Sequence, residues 1–326
     1  MDTLLELRAL SKQFPTHRAV DGISLSIARG EFFSLVGPSG CGKTTTLRMI
    51  AGLDQPTSGE ILLNGQSVAT LPPYHRNVST VFQNYALFPH LTVAQNIAFG
   101  LERRSPRVSR SAIREKVGQA LALVQLSGKE ARLPSEISGG ERQRVALARS
   151  LVLEPEVLLL DEPLSALDAK LRRQMRAGLK SLQRSVGIAF LFITHDREEA
   201  LSLSDRMAVM NRGSIEQIGT PRELYTRPAT RFVAEFLGDV NWMDGAAVRP
   251  EALRVSTEFP GDRVRSQPAT VEAATFLGNC IHLHARLADG KNCTAELNRM
   301  DVPLAPGDPV HLWWQPSDEL EIADRP

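Results

Sequence analysis

A glycine-rich segment near the N-terminus has the residues and spacing of a phosphate-binding loop. Residues 37–44 read Gly-Pro-Ser-Gly-Cys-Gly-Lys-Thr and fit the pattern G-x-x-x-x-G-K-S/T. In such a loop backbone N–H groups wrap the phosphates, Lys43 neutralises the β and γ oxygens, and Thr44 offers its hydroxyl to Mg²⁺. The alternative is an ordinary glycine-rich turn. We predict a nucleotide site formed by Gly37, Pro38, Ser39, Gly40, Cys41, Gly42, Lys43, Thr44 and Thr45.

A thiol lies within this loop, which raises the question of nucleophilic chemistry. We interpret Cys41 as a small spacer, because the phosphate site needs its backbone rather than its sulfur. The other two cysteines are Cys280 and Cys293, and the three occur at spacings that match no metal site. We therefore expect a reducing environment and no structural disulfide.

Two adjacent carboxylates could form the second half of the site. The apolar run Val157–Leu160 predicts a buried strand that ends at Asp161 and Glu162. Asp161 would hold Mg²⁺ and Glu162 would activate the attacking water as a general base. By itself such a pair could be a solvated turn, and the glycine loop favours the catalytic interpretation.

An amide and an imidazole follow two further predicted strands. Gln83 ends the run Val78–Phe82, where it could reach both metal and water. His195 follows the run Ala189–Ile193 and could hold the γ-phosphate and the attacking water. Taken alone, a glutamine carries little information and a histidine is more often structural.

The elements that must position these residues alternate between strands and helices, which is typical of an α/β fold. Phe32–Val36 predicts the strand before the glycine loop, and Thr44–Ala51 the helix after it. Helical spacing over Val108–Leu126 and Arg142–Leu153 indicates an inserted helical block. Ser138-Gly139-Gly140 precedes the second of these helices and offers backbone N–H groups.

The chain changes character beyond about residue 240. Short β-like runs separated by turn residues predict a small all-β domain after the α/β domain. The clearest of these runs are Ala269–Phe276, Ile281–Leu287 and Val310–Trp314.

Bulk properties limit the possible partners. The 326 residues include 38 basic and 37 acidic side chains, so the net charge of +1 provides no overall field for nucleic acid. The N-terminal residues are interrupted by charges and do not resemble a secretory signal. No run reaches the roughly 18 to 20 apolar residues that span a bilayer, so we expect a soluble protein.

Taken together, these motifs closely resemble the ATP-binding-cassette (ABC) family. The resemblance covers roughly residues 4–240 and implies an ATPase with a P-loop NTPase cassette: a RecA-like core and a helical subdomain at about residues 90–153. It implies a nucleotide-binding domain over residues 1–240 and an OB-like (TOBE) domain over 241–326. The motifs appear in the family's order: the Walker A loop, Gln83, the signature Ser138-Gly139-Gly140-Glu141-Arg142-Gln143, Walker B, the D-loop Ser165-Ala166-Leu167-Asp168, and His195.

The resemblance also implies a head-to-tail homodimer with two ATP molecules. Ser138, Gly139 and Gly140 of one copy would contact the γ-phosphate held by the other copy, with Asp168 in the adjoining D-loop. Phe14 falls where the family places an aromatic residue that stacks on adenine. The alternative for Phe14 is a core position at a strand edge.

Further segments are similar to the importer branch, and most similar to spermidine/putrescine import ATPases. This implies two membrane permease subunits, a solute-binding protein and a place on the cytoplasmic face of the membrane. Tyr85–His90 would lie near the groove for the permease. Ferric iron, phosphonate and sugar importers use similar motors and remain alternatives for the cargo. The segments concerned include Gly219-Thr220-Pro221, Val248-Arg249-Pro250-Glu251 and Leu171-Arg172-Arg173-Gln174-Met175.

The sequence departs from the family pattern in two places. The signature begins with Ile137 and ends with Glu141, where Leu and Gln are usual, and Arg197 replaces the glutamine often found after the His-Asp pair. We interpret Glu141 as a tuning change, with its carboxylate facing away from phosphate or paired with Arg142 or Arg144.

Two other functions compete with transport. A soluble cassette ATPase acting on nucleic acid or ribosomes would usually show two cassettes, a coiled coil or a basic surface, and none is evident here. The β-rich tail could itself bind a regulatory ligand, or it could only widen the dimer interface.

Overall fold

The computed structural model describes residues 2–103, 106, 108–243, 245–299 and 304–322. The chain divides into two compact units, residues 1–221 and 222–326. The domain boundary predicted at residue 240 stays a prediction. Two short helices lie between residue 221, where the first unit ends, and residue 240. Among the described residues, no helix is both long and apolar enough to cross a bilayer.

The first unit alternates strands and helices, as expected for an α/β fold. Its described strands are β1 (Thr3–Gln13), β2 (Arg18–Ala28), β3 (Phe32–Val36), β4 (Ser58–Leu63), β5 (Gln66–Ser67), β6 (Val78–Val81), β7 (Val157–Asp161), β8 (Ala189–Thr194), β9 (Arg206–Asn211) and β10 (Ser214–Gly219). Its helices are α1 (Lys43–Ala51), α2 (Val93–Ala98), α3 (Arg110–Leu123), α4 (Gly139–Leu151), α5 (Ala169–Val186) and α6 (Arg197–Leu203).

A six-stranded sheet with the order β10-β9-β3-β8-β7-β6 forms the centre of this unit. Its strands are parallel except for β10, which pairs antiparallel with β9. Every residue of β3 is buried, which fits the continuous apolar run of a strand covered on both faces. The carboxyl ends of β3, β8, β7 and β6 therefore meet along one edge, where ligands of such sheets bind.

The two faces of the central sheet lie in separate apolar cores. Leu159 packs on one side with residues of the antiparallel sheet β2-β1-β4-β5, including Leu5 and Ile27. Leu158 and Leu160 point to the other side, among residues of α4 and α5. The alternation follows from the two-residue period of a strand.

A helical block lies between β6 and β7 and has its own core around Val93, Ile97, Leu121 and Val145. The predicted helix over 108–126 is shorter, Arg110–Leu123. The start predicted at Arg142 is wrong, because α4 begins three residues earlier. Ser138 caps this helix, and Gly139 and Gly140 occupy its first turn.

The second unit begins with two short helices and continues as antiparallel sheets. The helices are α7 (Pro221–Thr226) and α8 (Arg231–Leu237). The described strands are β11 (Asn241–Met243), β12 (Ala246–Val248), β13 (Arg254–Ser256), β14 (Arg265–Phe276), β15 (Cys280–Leu287), β16 (Asn292–Asn298) and β17 (Pro309–Trp314).

A five-stranded sheet with the order β13-β17-β14-β15-β16 dominates this unit. Its core surrounds Trp314, which is 2% exposed, and contains Val271, Leu283 and Leu312. These strands confirm the three predicted β runs and the all-β, OB-like expectation for this part of the chain.

Candidate nucleotide-binding site

The loop between β3 and α1 can be built only with glycine at two of its positions. A Cβ at Gly42 would lie 2.4 Å from the Ala19 carbonyl oxygen, and the Gly42 φ is +107°. A Cβ at Gly37 would lie 2.2 Å from the Met210 carbonyl oxygen. Both contacts are with backbone atoms, which cannot move aside. The backbone geometry of the loop therefore requires the two glycines of the motif at these positions.

Lys43 lies inside the loop that precedes it. Its side chain is 4% exposed, and Nζ donates to the carbonyl oxygens of Gly37 at 2.8 Å and Pro38 at 2.9 Å. Ser39 and Gly40 are exposed at the rim of the loop. The structure thus places a buried cation among backbone atoms, as a phosphate cradle requires.

Cys41 is buried under the loop with 3% of its surface exposed. Burial raises the pKa of its thiol above the ordinary value, which disfavours the reactive thiolate. The geometry supports the interpretation of Cys41 as a spacer. Cys41, Cys280 and Cys293 are all free.

Thr44 and Asp161 meet across the sheet edge. The exposed Thr44 hydroxyl donates to Oδ1 of Asp161 at 3.2 Å, and Thr45 follows half-buried in the first turn of α1. Burial raises the pKa of the Asp161 carboxyl above its ordinary value. This pair joins the two halves of the predicted site, the end of β3 and the end of β7.

Glu162 and His195 form the next contact along this edge. His195 Nδ1 lies 3.0 Å from Oε2 of Glu162, and the Glu162 N–H donates to the Ile193 carbonyl at 3.0 Å. The Glu162 φ is +44°, a left-handed conformation that costs energy for a residue with a side chain. The backbone hydrogen bond to β8 helps hold this strained residue beside His195.

Gln83 reaches the same cluster through a serine. Its Nε2 donates to Oγ of Ser165 at 3.1 Å, and Ser165 Oγ donates to the Glu162 carbonyl at 2.8 Å. Gln83 is itself exposed, two residues beyond the end of β6. The structure therefore brings Gln83, Glu162, His195 and the loop together, as predicted from separate strand ends.

An arginine that the sequence analysis missed supports the segment after Gln83. Arg149 on α4 donates to the carbonyl oxygens of Ala86 at 2.6 Å and Tyr85 at 2.8 Å. Tyr85 and Ala86 both have positive φ, +62° and +46°. Their acceptors are backbone atoms, so no side-chain pattern indicated this contact. Arg149 links the helix of the signature to the segment of Gln83.

A buried glutamate beside His195 was also missed. Glu199 is 3% exposed and accepts a hydrogen bond from the Thr194 hydroxyl at 2.6 Å. Burial raises the pKa of the Glu199 carboxyl. Arg172 Nε lies 3.8 Å from Glu199, and Thr194 Oγ1 accepts from the Asp196 N–H at 3.0 Å. This network fixes the backbone on both sides of His195.

The signature segment forms the capped start of α4. The Ser138 hydroxyl accepts from the Glu141 N–H at 3.3 Å, and the Glu141 carboxylate accepts from the Ser138 N–H at 2.8 Å. Lys129 also donates to Glu141, so the basic partner is Lys129 and neither Arg142 nor Arg144, whose pairing with Glu141 was one of two alternatives. Arg142 donates instead to the Ile137 carbonyl at 2.9 Å.

The two glycines of the signature differ in their surroundings. A Cβ at Gly140 would lie 3.1 Å from Leu171, whereas a Cβ at Gly139 would meet no atom closer than 3.8 Å. Ser138 is exposed. Ser138 and Glu141 bond to each other and to Lys129, whereas Lys43 bonds to carbonyl oxygens of its own loop and Thr44 bonds to Asp161.

Asp168 and Phe14 complete the predicted residues. Asp168 caps α5 by accepting hydrogen bonds from Lys170 N–H at 3.0 Å and Leu171 N–H at 2.9 Å. Phe14 lies in the turn between β1 and β2, partly exposed, with its ring stacked on His17 at 5.3 Å. Phe14 is therefore not a core residue, and its ring is accessible.

Comparisons with known proteins agree with this geometry. Residues 20–165 match the ABC transporter family, and residues 246–320 match the TOBE domain family. The spermidine/putrescine import ATP-binding protein PotA of Rubrobacter xylanophilus is 48% identical over 349 residues, covering 95% of this chain and 91% of that protein. The protein of the same name from Pseudomonas aeruginosa is 55% identical over 258 residues, covering 79% of this chain and 70% of that protein.

Two solved structures resemble the chain. One is a dimeric ATP-binding cassette bound to ADP and Pi, with a TM-score of 0.60 and 30% identity, covering 67% of this chain and 99% of that one. The other, cbiO1 of Clostridium perfringens, is part of the ABC transporter complex cbiONQ. It has a TM-score of 0.63 and 29% identity, covering 69% of this chain and 91% of that one. The chain belongs to the ABC transporter family, as an ATP-binding member that hydrolyses ATP.

Proposed function

We propose that this chain is the motor subunit of an importer for spermidine or putrescine. The observation that carries the catalytic part is the Glu162–His195 contact at 3.0 Å beside the Thr44–Asp161 pair. The relatives named above are spermidine/putrescine import proteins, which supports the cargo. Binding of ATP closes two copies of the chain, this closure moves the paired membrane subunits, and hydrolysis reopens the two copies.

Four residues have catalytic roles in this proposal. Glu162 accepts a proton from the attacking water, and His195 positions the Glu162 carboxylate and the γ-phosphate. Lys43 neutralises charge on the β and γ oxygens, since its ammonium already lies inside the loop. Gln83 reports the γ-phosphate through Ser165 to the backbone of Glu162.

The residues near Asp161 fit a bound Mg²⁺. The Asp161 carboxylate is desolvated, which raises its pKa, and a divalent cation would stabilise its charged form. The Thr44 hydroxyl is adjacent, and the Gln83 amide belongs to the same cluster; both are oxygen ligands of the kind that Mg²⁺ prefers. Thr44, Asp161 and Gln83 would hold the metal, which would neutralise phosphate charge.

A homodimer would complete the site. Ser138, Gly139 and Gly140 start a helix whose hydroxyl and N–H groups suit a phosphate held by another copy. The exposed position of Ser138 and the open space at Gly139 support this. The solved relative with ADP and Pi is dimeric, which supports the same arrangement. Asp168 would then fix the D-loop at the dimer contact, and Phe14 would stack on adenine.

A groove of about 850 Å³ offers a docking site for a permease subunit. It is lined by Leu53, Tyr74, Phe82 and Arg103, among others, and Tyr74 is 82% exposed. In the segment Tyr85–His90, which was predicted to lie near this groove, Tyr85 is 7% exposed and lies in the core, whereas Ala86, Pro89 and His90 are exposed. Each copy of the homodimer would attach through this groove to one of two permease subunits on the cytoplasmic face of the membrane, with a solute-binding protein on the other side.

Replacing the general base tests the catalytic proposal. Glu162→Gln should lower the ATPase rate by about 10²- to 10⁴-fold, because the amide cannot accept the proton. ATP affinity should stay near that of the wild type, since Lys43 and the glycine loop are intact. Steady-state phosphate release and nucleotide titration measure the two quantities.

Glu60→Gln is a matched control, because Glu60 is an exposed glutamate on β4. The ATPase rate of this variant should equal that of the wild type. A Glu162→Gln variant that hydrolyses ATP at the wild-type rate would remove the general-base role.

A second experiment tests the cargo. The full complex in proteoliposomes, with its binding protein, should show ATPase stimulation by spermidine or putrescine. Stimulation by ferric iron, phosphonate or sugar instead would overturn the polyamine assignment.

A further inference from the structure

One face of the β15–β16 hairpin gathers three metal-binding side chains of different chemistry. His282 on β15 lies directly opposite Glu296 on β16 in the antiparallel register. Cys280 precedes His282 by two residues and therefore faces the same side of the sheet. One ligand atom from each of Cys280, His282 and Glu296 lies within 4.8 Å of the others.

The spacing is close to that of ligands around a tetrahedral ion. In a tetrahedral site, metal–ligand distances of 2.0 to 2.3 Å place the ligand atoms about 3.3 to 3.8 Å from one another. Side-chain rotations that move the ligand atoms by about 1 Å would bring these three to such distances. His282 Nε2 and Glu296 Oε2 lie 3.6 Å apart, longer than a strong hydrogen bond. The pair is thus near coordination distance without being locked together.

The donor atoms select the class of metal. A sulfur, an imidazole nitrogen and a carboxylate oxygen suit Zn²⁺ and chemically similar ions, whereas Mg²⁺ and Ca²⁺ prefer oxygen ligands. The Cys280 residue is 7% exposed, but the side chains of His282 and Glu296 are 26% and 41% exposed. An ion can therefore reach the cluster from the carboxylate side, with the sulfur at the protected end.

The neighbouring histidine on the same face has a different role. His284 Nδ1 lies 3.1 Å from the Thr294 hydroxyl, and its ring is 6.5 Å from that of His282. The backbone N–H and carbonyl of Thr294 in turn make two hydrogen bonds with the side-chain amide of Asn241. His284 thus belongs to a structural network beside the cluster, which makes it a matched control.

We propose that Cys280, His282 and Glu296 bind one Zn²⁺ ion, with water in the fourth coordination position. The site is independent of the nucleotide site and of the proposed function. β16 is the edge strand of its sheet, next to β15. Because the ligands come from both strands, the ion would tie the edge strand to the sheet and make the stability of this unit metal-dependent.

Metal titration of the full-length chain, without nucleotide and after treatment with a chelator, tests this. Co²⁺ should produce a thiolate-to-cobalt charge-transfer band, and Zn²⁺ should bind with 1:1 stoichiometry and displace the Co²⁺. Cys280→Ser should abolish the band. His282→Ala and Glu296→Gln should weaken Zn²⁺ binding by at least about tenfold, since each removes one of three ligands.

Two controls separate this site from other metal-binding groups. His284→Ala and Cys293→Ala should retain the band and the affinity, since neither residue is in the cluster. Glu296 is exposed, so Glu296→Gln should stay folded and test the site even if Cys280→Ser does not fold. A band that survives in Cys280→Ser, or Zn²⁺ affinity unchanged in Glu296→Gln, would overturn the proposal.

Discussion

The helices α1 and α4 both begin at glycine-containing segments, but their first turns are completed in different ways. α1 follows Gly42, which has a φ of +107° and offers no capping side chain. α4 follows Ser138, which exchanges two hydrogen bonds with Glu141 in a capping box. A helix start without a cap is suited to hold an anion itself. A self-capped start is already stable and can present its hydroxyl to an anion bound elsewhere.

The largest expected effect comes from removing the cation at the uncapped start. Lys43→Ala should lower ATP affinity by at least about tenfold, because charged hydrogen bonds to phosphate contribute roughly 1.5 to 3 kcal/mol. Nucleotide titration of the monomer measures it. Lys129→Ala removes the same charge at the start of α4 and should leave monomer affinity unchanged. Equal losses in both variants would contradict the division of roles.

A smaller effect is expected at the capped start. Ser138→Ala should lower the ATPase rate by up to about tenfold, because the partner's phosphate loses a hydroxyl contact. Monomer ATP affinity should not change. The lost cap should also cost about 1 kcal/mol in the free energy of unfolding.

Ser109→Ala separates the two consequences of that change. Ser109 caps α3 by accepting a hydrogen bond from the Ala112 N–H at 3.2 Å, away from the predicted site. It should lose similar stability in denaturant unfolding and keep its ATPase rate. If Ser138→Ala and Ser109→Ala have the same ATPase rate, the signature hydroxyl has no role in turnover.

The smallest effect concerns the pH dependence of the α4 start. The Lys129 ammonium and the Ser138 N–H lower the pKa of Glu141 from 4.5 to about 2. The carboxylate therefore stabilises the fold above about pH 4.5, and this contribution is lost as the pH falls towards 2. Glu141→Gln lacks this titration, so its Tm should approach that of the wild type on acidification from pH 7 to pH 3.

Lys129→Met should show the same convergence, because Lys129 is the main cause of the lowered pKa. Differential scanning calorimetry across this range measures both variants. A Tm difference that stays constant with pH would show that the Glu141 charge does not stabilise α4.

The sequence predicted what depends on local pattern. The strands that carry the glycine loop, Asp161 and His195 were placed within a residue of their observed ends, because buried parallel strands are short apolar runs. The predicted start of α4 at Arg142 is three residues late, because the glycine pair belongs to the first turn of the helix and does not precede it. The Ser138-x-x-Glu141 pattern is itself a capping-box signal and could have located the start.

Contacts that depend on register or on backbone atoms could not be predicted. Cys280 and Glu296 belong to different strands, and only the antiparallel register brings them together. The pairing of Glu141 with Lys129 joins α4 to a turn twelve residues earlier, where several basic residues could have competed. The proposed roles of Ser138, Gly139 and Gly140 also require a second copy of the chain. The sequence of one chain implies that second copy only through the family resemblance.

Arg149 connects α4, which begins with the signature segment, to the segment that follows Gln83. It binds the carbonyl oxygens of Tyr85 and Ala86, so the link depends on the orientation of two peptide planes and not on which side chains stand there. Substitutions at these positions that keep the backbone conformation would preserve the link. Rotation of either peptide plane would break one of these hydrogen bonds. The Arg149 guanidinium also lies 5.8 Å from the centroid of the Phe88 ring, so the connection between α4 and the segment after Gln83 combines backbone and side-chain contacts.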